Sequence, residues 1–144
     1  MSQKHSDDGA RTRRDTLLSN AHFRVFIDGT EYGFRAIERL TCADHESRSK
    51  TEPGTTPRRL VLRRGLTQNR DLYLWRQSAT CGKPDLRDIT IEQLDRPGGR
   101  AVNRWHVQRC RPTSWSGPSF DAIDGDIAYE DLEVAYERLE WESH

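Results

Sequence analysis

The sequence predicts a mainly β domain with one helix in its middle and a largely antiparallel sheet. Three observations predict it. Short apolar runs alternate at period two, as in "FRVFID", where Phe23, Val25 and Ile27 alternate with Arg24 and Asp28. Hairpin-type turn signals separate such runs, at Asp28-Gly29 and at "RPGGR", residues 96–100. One segment, "GLTQNRDLYLWRQSATCG", carries a helical period instead. Hairpin-like links favour antiparallel pairing.

The elements follow in order. "FRVFID" is a half-buried strand, with Phe26 suggesting an outer face that is also partly covered. After "DGTEYG", "EYGFRAIERL" is the returning strand, with Gly33 a candidate bulge. Residues 41–56, "TCADHESRSKTEPGTT", have no apolar period and are expected to be a long loop of the kind that is often functional. "PRRLVLRR" is a strand with an apolar centre (Leu60, Val61, Leu62) and arginine ends. In the helix, Thr67 or Asn69 can cap the start. Leu72, Trp75 and Ala79 share one face, and Gly82 stands where a terminating glycine belongs. "DITIEQLD" and "AVNRWHVQRC" are strands joined by the "RPGGR" turn, and "RPTSWSGPS" is read as a loop.

Composition limits the function. The 144 residues suit one domain, expected over 21–142 behind a polar, flexible extension at 1–20. Hydrophobic residues make up 33% and charged residues 32%, so the core is thin and much of the chain meets solvent or partners. Lys+Arg and Asp+Glu both number 23, which argues against a nucleic-acid binder that works through a basic field; no specific nucleic-acid binding is expected. Cys42, Cys81 and Cys110 are spaced by 39 and 29 residues, which fits no metal motif and reads as free thiols in a reducing cytoplasm. No segment is apolar enough to span or anchor in a membrane, and the N-terminus lacks a signal-peptide core.

Candidate chemistry is thin. An EF-hand started at Asp121 places Ile123 at a ligand position, and one started at Asp124 places Ala128 and Tyr129 at positions five and six; both fail. There is no G-x-S-x-G, and none of His5, His22, His45, His106 and His144 has a catalytic partner in sequence. Trp75 and Trp105 lie on apolar faces and read as core rather than as stacking platforms for nucleic acid. The acidic segment "DAIDGDIAYEDLEVAYERLEW", residues 121–141, stays ambiguous from its own residues. Leu132, Tyr136 and Leu139 give a helical stripe of good helix formers, which favours a helix; the period-two alternative puts Ala128, Glu130, Leu132, Val134 and Tyr136 on one side.

The ordered set of "FRVFIDG", then "PRRLVLRRGLTQNRDLYLWRQS", then "DITIEQLDRPGGRAVNRWHVQRCRPTSWSGPSFDAIDGDIAYEDLEVAYERLEW" resembles the phage tail tube family, and more narrowly the inner-tube proteins of contractile injection systems. Gly65, Tyr73, Trp75, Asp95, Gly99 and Trp105 stand at the earlier positions of the family pattern. Pro112, Trp115, Gly117, Pro118, Phe120, Asp121 and Ala122 stand at the later ones. The resemblance implies two packed antiparallel sheets forming a small barrel with one helix at its side, and a final acidic segment that is a strand led by "DAIDGD" as a turn. It implies hexameric rings that stack into a hollow tube, with no catalytic residue, cofactor or metal. The implied partners are further copies of the chain, a sheath protein, baseplate and tail-terminating proteins, and cargo in the lumen. Synthesis is expected in the bacterial cytoplasm, followed by assembly into a tail or a particle that stays there or is released.

A ring of identical chains needs two different patches that meet. The expected complements are Arg58, Arg59, Arg63 and Arg64 against Glu130, Asp131 and Glu133, with Arg48, Lys50, Pro53 and Gly54 of the long loop contributing. Charge reversal at Glu130, Asp131 and Glu133 is then expected to block assembly and leave the monomer folded. Two departures from the family pattern, in the long loop and at the N-terminus, leave room for a tube-initiating or baseplate-proximal ring paralogue, a third bears only on the hairpin register, and a barrel adaptor that does not polymerise is the alternative. The long loop is shorter and carries "HESRSKTE", the turn between Asp95 and Trp105 is one residue longer, and an N-terminal extension is present.

Overall fold

The computed structural model describes residues 17–40, 58–80 and 82–143. The long loop at 41–56, most of the N-terminal extension, and Cys42 and Cys81 lie outside the described residues. The elements are β1 (Phe23–Ile27), β2 (Thr30–Tyr32), β3 (Ala36–Glu38), β4 (Arg59–Gly65), α1 (Asp71–Ala79), β5 (Arg87–Leu94), β6 (Ala101–Ser116), β7 (Tyr129–Ala135) and β8 (Arg138–Ser143). The eight strands form one sheet, ordered β2-β1-β5-β6-β7-β4-β3, with β8 also pairing β6. All seven ladders are antiparallel, as hairpin-type links require.

The sheet has two lobes that share β6. Residues Asn103–Gln108 of β6 pair β8, and the pairing of β6 with β5 runs on to Cys110, opposite Arg87. From Arg111 to Ser116 the same strand pairs β7. The bend between the lobes is built by Arg109, whose φ of 56° lies in the left-handed region. Its amide donates to Asp88 Oδ1 at 3.0 Å, and the Asp88 amide donates to Asp28 Oδ1 at 2.9 Å. A register shift between Arg87 and Ile89 marks the bulge, the usual device for turning a strand sharply.

The expected small barrel does not close. The strands at the two ends of the path, β2 and β3, have three residues each and share no ladder. The link 33–35 carries the chain across the seam, with the Arg35 amide donating to the Arg63 carbonyl at 2.7 Å. Closure needs end strands long enough to register with each other, and three residues are too few. The "EYGFRAIERL" segment is therefore two strands in two lobes rather than one returning strand. β6 also runs through "RPTSW", which the prolines had suggested was loop. Pro112 is tolerated beside a register shift between Pro112 and Ser114, where the ladder is interrupted.

One core joins both lobes and the helix. Val25, Ile27, Ile89, Ile91, Val107 and Cys110 come from the first lobe, Leu60, Leu62, Leu132, Val134 and Tyr136 from the second lobe and its edge, and Leu72 and Trp75 from α1. Fully burying a side chain of this size contributes about 1.5–3 kcal/mol. The helix forms where expected. The N-cap position is Arg70, without a side-chain cap; Asn69 Oδ1 instead accepts from the Asp71 amide at 2.8 Å, and Thr67 Oγ1 accepts from the Asn69 amide at 3.1 Å in the approach to the helix. Gly82 takes a φ of 88° beyond its end.

The acidic segment is strand. Its period-two reading places Glu130, Leu132, Val134 and Tyr136 inward, and all four are buried. It is broken at Tyr136–Glu137, where the two amides donate to the Arg58 and Gln108 carbonyls, so the expected single strand is two, β7 and β8. Pairing on both sides of β7, to β4 and to β6, overrides its helix propensity.

Candidate assembly interface

The β4–β7 ladder brings the expected basic and acidic groups together inside one chain. Arg64 opposes Glu130, Arg63 opposes Asp131, and Val61 opposes Glu133. On the inner face, Arg64 Nε donates to Glu130 Oε2 at 2.6 Å, with the two side chains only 9% and 1% exposed. Further bonds surround the pair: Arg64 Nη2 donates to the carbonyl and the side-chain oxygen of Asn69, both at 3.2 Å, and Trp115 Nε1 donates to Glu130 Oε1 at 2.7 Å. A buried ion pair persists only when its lone pairs and protons are satisfied in this way. Arg64 and Glu130 therefore tie the segment leading into α1 to the sheet, and reversing Glu130 is predicted to destabilise the monomer as well as any contact between copies.

The other charges face outward. Arg63 binds Asp131 bidentately at 2.8 and 3.1 Å. Glu133 accepts from Arg59 Nη1 at 3.3 Å and from Thr113 Oγ1 at 3.0 Å, and Arg39 lies 3.9 Å from it. Arg58 donates to the Glu137 carbonyl at 2.9 Å. Arg59, Arg63, Asp131 and Glu133 thus share a half-exposed, charge-paired surface on the second lobe, and Arg58 stands beside it over the Tyr136 ring. Arg48, Lys50, Pro53 and Gly54 lie outside the described residues.

The first lobe carries a second charged surface that sequence reading missed. Glu92 on β5 is only 8% exposed and accepts from Arg24 of β1 and from Arg104 of β6, each at 2.8 Å. Arg104 also lies 3.6 Å from Glu142 on β8, and His106 Nε2 is 3.0 Å from the same carboxylate. The result is a row of alternating charges across four strands. Burial pushes the Glu92 carboxyl up, but the Arg104 and Arg24 hydrogen bonds and charges more than offset it and hold it below its ordinary value. Only β5 and β6 of these four strands are consecutive in sequence, so the full row could be revealed only by the strand order.

Two apolar features complete the surface. The turn between β6 and β7 exposes Phe120, Ile123 and Ile127, and β8 leaves Trp141 largely exposed while Trp141 stacks on Trp105 at 6.1 Å. Among the described residues, no group of three or more His, Cys, Asp and Glu side chains could hold a metal. Burial pushes the Cys110 thiol up to about 12, which makes it inert.

The model of the T4-like virus tail tube protein gp19 family matches residues 19–140. The chain belongs to that family. A tail tube subunit is a structural protein. Solved structures carry the same fold. A chain of the PVC extracellular contractile injection system, in its extended sheath–tube complex, superposes with a TM-score of 0.77 at 20% identity, covering 94% of this chain and 97% of the other. A chain of the PVC sheath/tube terminator gives 0.75 at 22% identity, covering 90% and 99%. Hcp1 from Flavobacterium johnsoniae gives 0.59 at 12% identity, covering 85% and 96%. No curated protein sequence matches at a significant level.

Proposed function

We propose that this chain builds the inner tube of a contractile injection system or phage tail, as hexameric rings stacked around a lumen. The observation that carries this reading is an open sheet with exposed edges on a chain of the tail tube family. Strand β8 pairs only with β6 among the described residues, and β2 only with β1. An unpaired edge is a template for the next chain, and a ring closes what the single chain leaves open. The role is mechanical and conductive rather than enzymatic. The sheath, the baseplate and the tube terminator are its partners, in line with the particles that hold its structural neighbours. The chain is made in the bacterial cytoplasm and joins a particle that stays there or is released; among the described residues, no helix is long and apolar enough to cross a membrane.

Arg58, Arg59, Arg63, Asp131 and Glu133, with Arg48, Lys50, Pro53 and Gly54, form part of the contact between copies. Arg63 and Asp131 are the testable pair. The exchange of Arg63→Asp with Asp131→Arg preserves the pair within the chain but inverts what a neighbour meets. The doubly exchanged protein should fold, by circular dichroism, and fail to form rings, by electron microscopy; normal rings would confine this pair to the fold. The near-equal likeness to tube and terminator chains keeps a terminal or initiating ring as the second reading. Long tubes from the purified protein alone would favour the main tube, and single rings the alternative.

A further inference from the structure

The open seam of the sheet leaves a cleft of about 550 Å3. Phe23 of β1, Ile91 of β5 and Trp105 of β6 line it from the first lobe, and Ile37 and Leu40 from the end of the second. Arg35 and Arg63 also line it. An apolar hollow of this kind needs an apolar occupant. The two longer segments outside the described residues cannot supply one from their composition. Residues 1–16, "MSQKHSDDGARTRRDT", and 41–57, "TCADHESRSKTEPGTTP", contain no Leu, Ile, Val, Phe, Trp or Tyr.

The β6–β7 turn has the complementary character. Phe120 is 87% exposed, Ile123 97% and Ile127 68%, so none is housed within its own chain. The turn is preformed: Asp121 Oδ1 accepts from the amides of Ile123 and Asp124 at 3.0 and 3.3 Å, and the Gly125 amide donates to the Asp121 carbonyl at 3.3 Å. A preformed apolar tip loses little freedom on docking. Asp124 and Asp126 follow Ile123 and are opposite in sign to Arg35 of the cleft.

We propose that the turn carrying Phe120 and Ile123 of one copy seats in the seam cleft of the next copy. This rests on the reading of the chain as a ring-forming subunit. Turn and cleft are different patches of one surface, so the contact is head-to-tail, and it closes into a ring or propagates as a stack.

The test uses full-length protein lacking Cys42 and Cys81, with buried Cys110 kept. One preparation carries Ile123→Cys, and the other carries Leu40→Cys and a larger affinity tag. Mixed under assembly conditions and oxidised, the two should give a disulfide-linked species containing one of each, at least tenfold above either preparation alone. A companion variant, Phe120→Ser with Ile123→Ser, should keep the circular dichroism of the parent and lose rings. Rings that form without the mixed species, or from the serine variant, overturn the inference and leave the tube reading standing. A parent protein that never associates overturns both. A Leu17→Cys, Leu40→Cys protein that links fully within one chain inside assembled rings also overturns the inference, because the chain's own Leu17 would then fill the cleft.

Discussion

At the scale of single residues, the structure separates charges that hold the fold from charges that are free to meet neighbours. Glu130 and Asp131 are adjacent in sequence yet differ in kind. Glu130→Ala would leave Arg64 as an uncompensated buried charge, at a cost of about 3–5 kcal/mol. Asp131→Ala removes one half of an outward-facing pair and should cost within about 1 kcal/mol. Urea unfolding of the two variants checks the contrast, and equal losses would contradict it. Glu92 adds a pH dependence. Its carboxyl lies below the ordinary value of 4.5 in the folded chain, so the unfolded chain binds the proton first as pH falls. The stability it contributes is complete above about pH 4.5 and is lost as pH drops through its depressed folded value. Glu92→Gln should therefore be less stable than the parent at neutral pH and show a flatter decline below about pH 4.5. An unchanged acid limb would show that the row of charges does not act this way.

At the scale of elements, some of the structure was legible from the chain and some was not. β1, β4, β5 and α1 declare themselves because each buries one regular face, such as Val25 with Ile27, or Leu72 with Trp75. β7 hid its face because Glu130 interrupts the apolar side. Its inward pattern of Glu130, Leu132 and Val134 becomes readable only opposite Arg64, Leu62 and Leu60 of β4. Nothing local announces that two strands some seventy positions apart will cancel each other's buried charge. The same limit hid the split of β2 from β3 and the run of β6 through Pro112, since both depend on which lobe each segment joins. The β5–β6 turn shows the opposite case, in which a motif glycine has a local reason. Asp95 Oδ1 accepts from the Arg100 amide at 3.0 Å, and a Cβ on Gly99 would collide with that oxygen. Gly99→Ala should break this exposed bond and cost about 0.5–1.5 kcal/mol, the range for the net worth of a hydrogen bond whose partners turn to water. Faster amide exchange at Arg100, with exchange in β7 unchanged, is the expected signature.

At the scale of the whole molecule, the single chain is an incomplete object. Its sheet bends at Arg109 into two lobes, its end strands are too short to close the seam, and its charged faces are balanced within themselves. Self-balanced faces do not drive association by net charge; specificity must then come from edges, turns and the order in which charges alternate. That is why the function could be approached from the sequence only through the ordered set of family positions, and why composition alone excluded more than it identified. The measurement that tests the central claim most directly is electron microscopy of the purified full-length protein across a concentration series. Six-fold rings, alone or stacked into hollow tubes, are the predicted result. A discrete monomer at every concentration would contradict it.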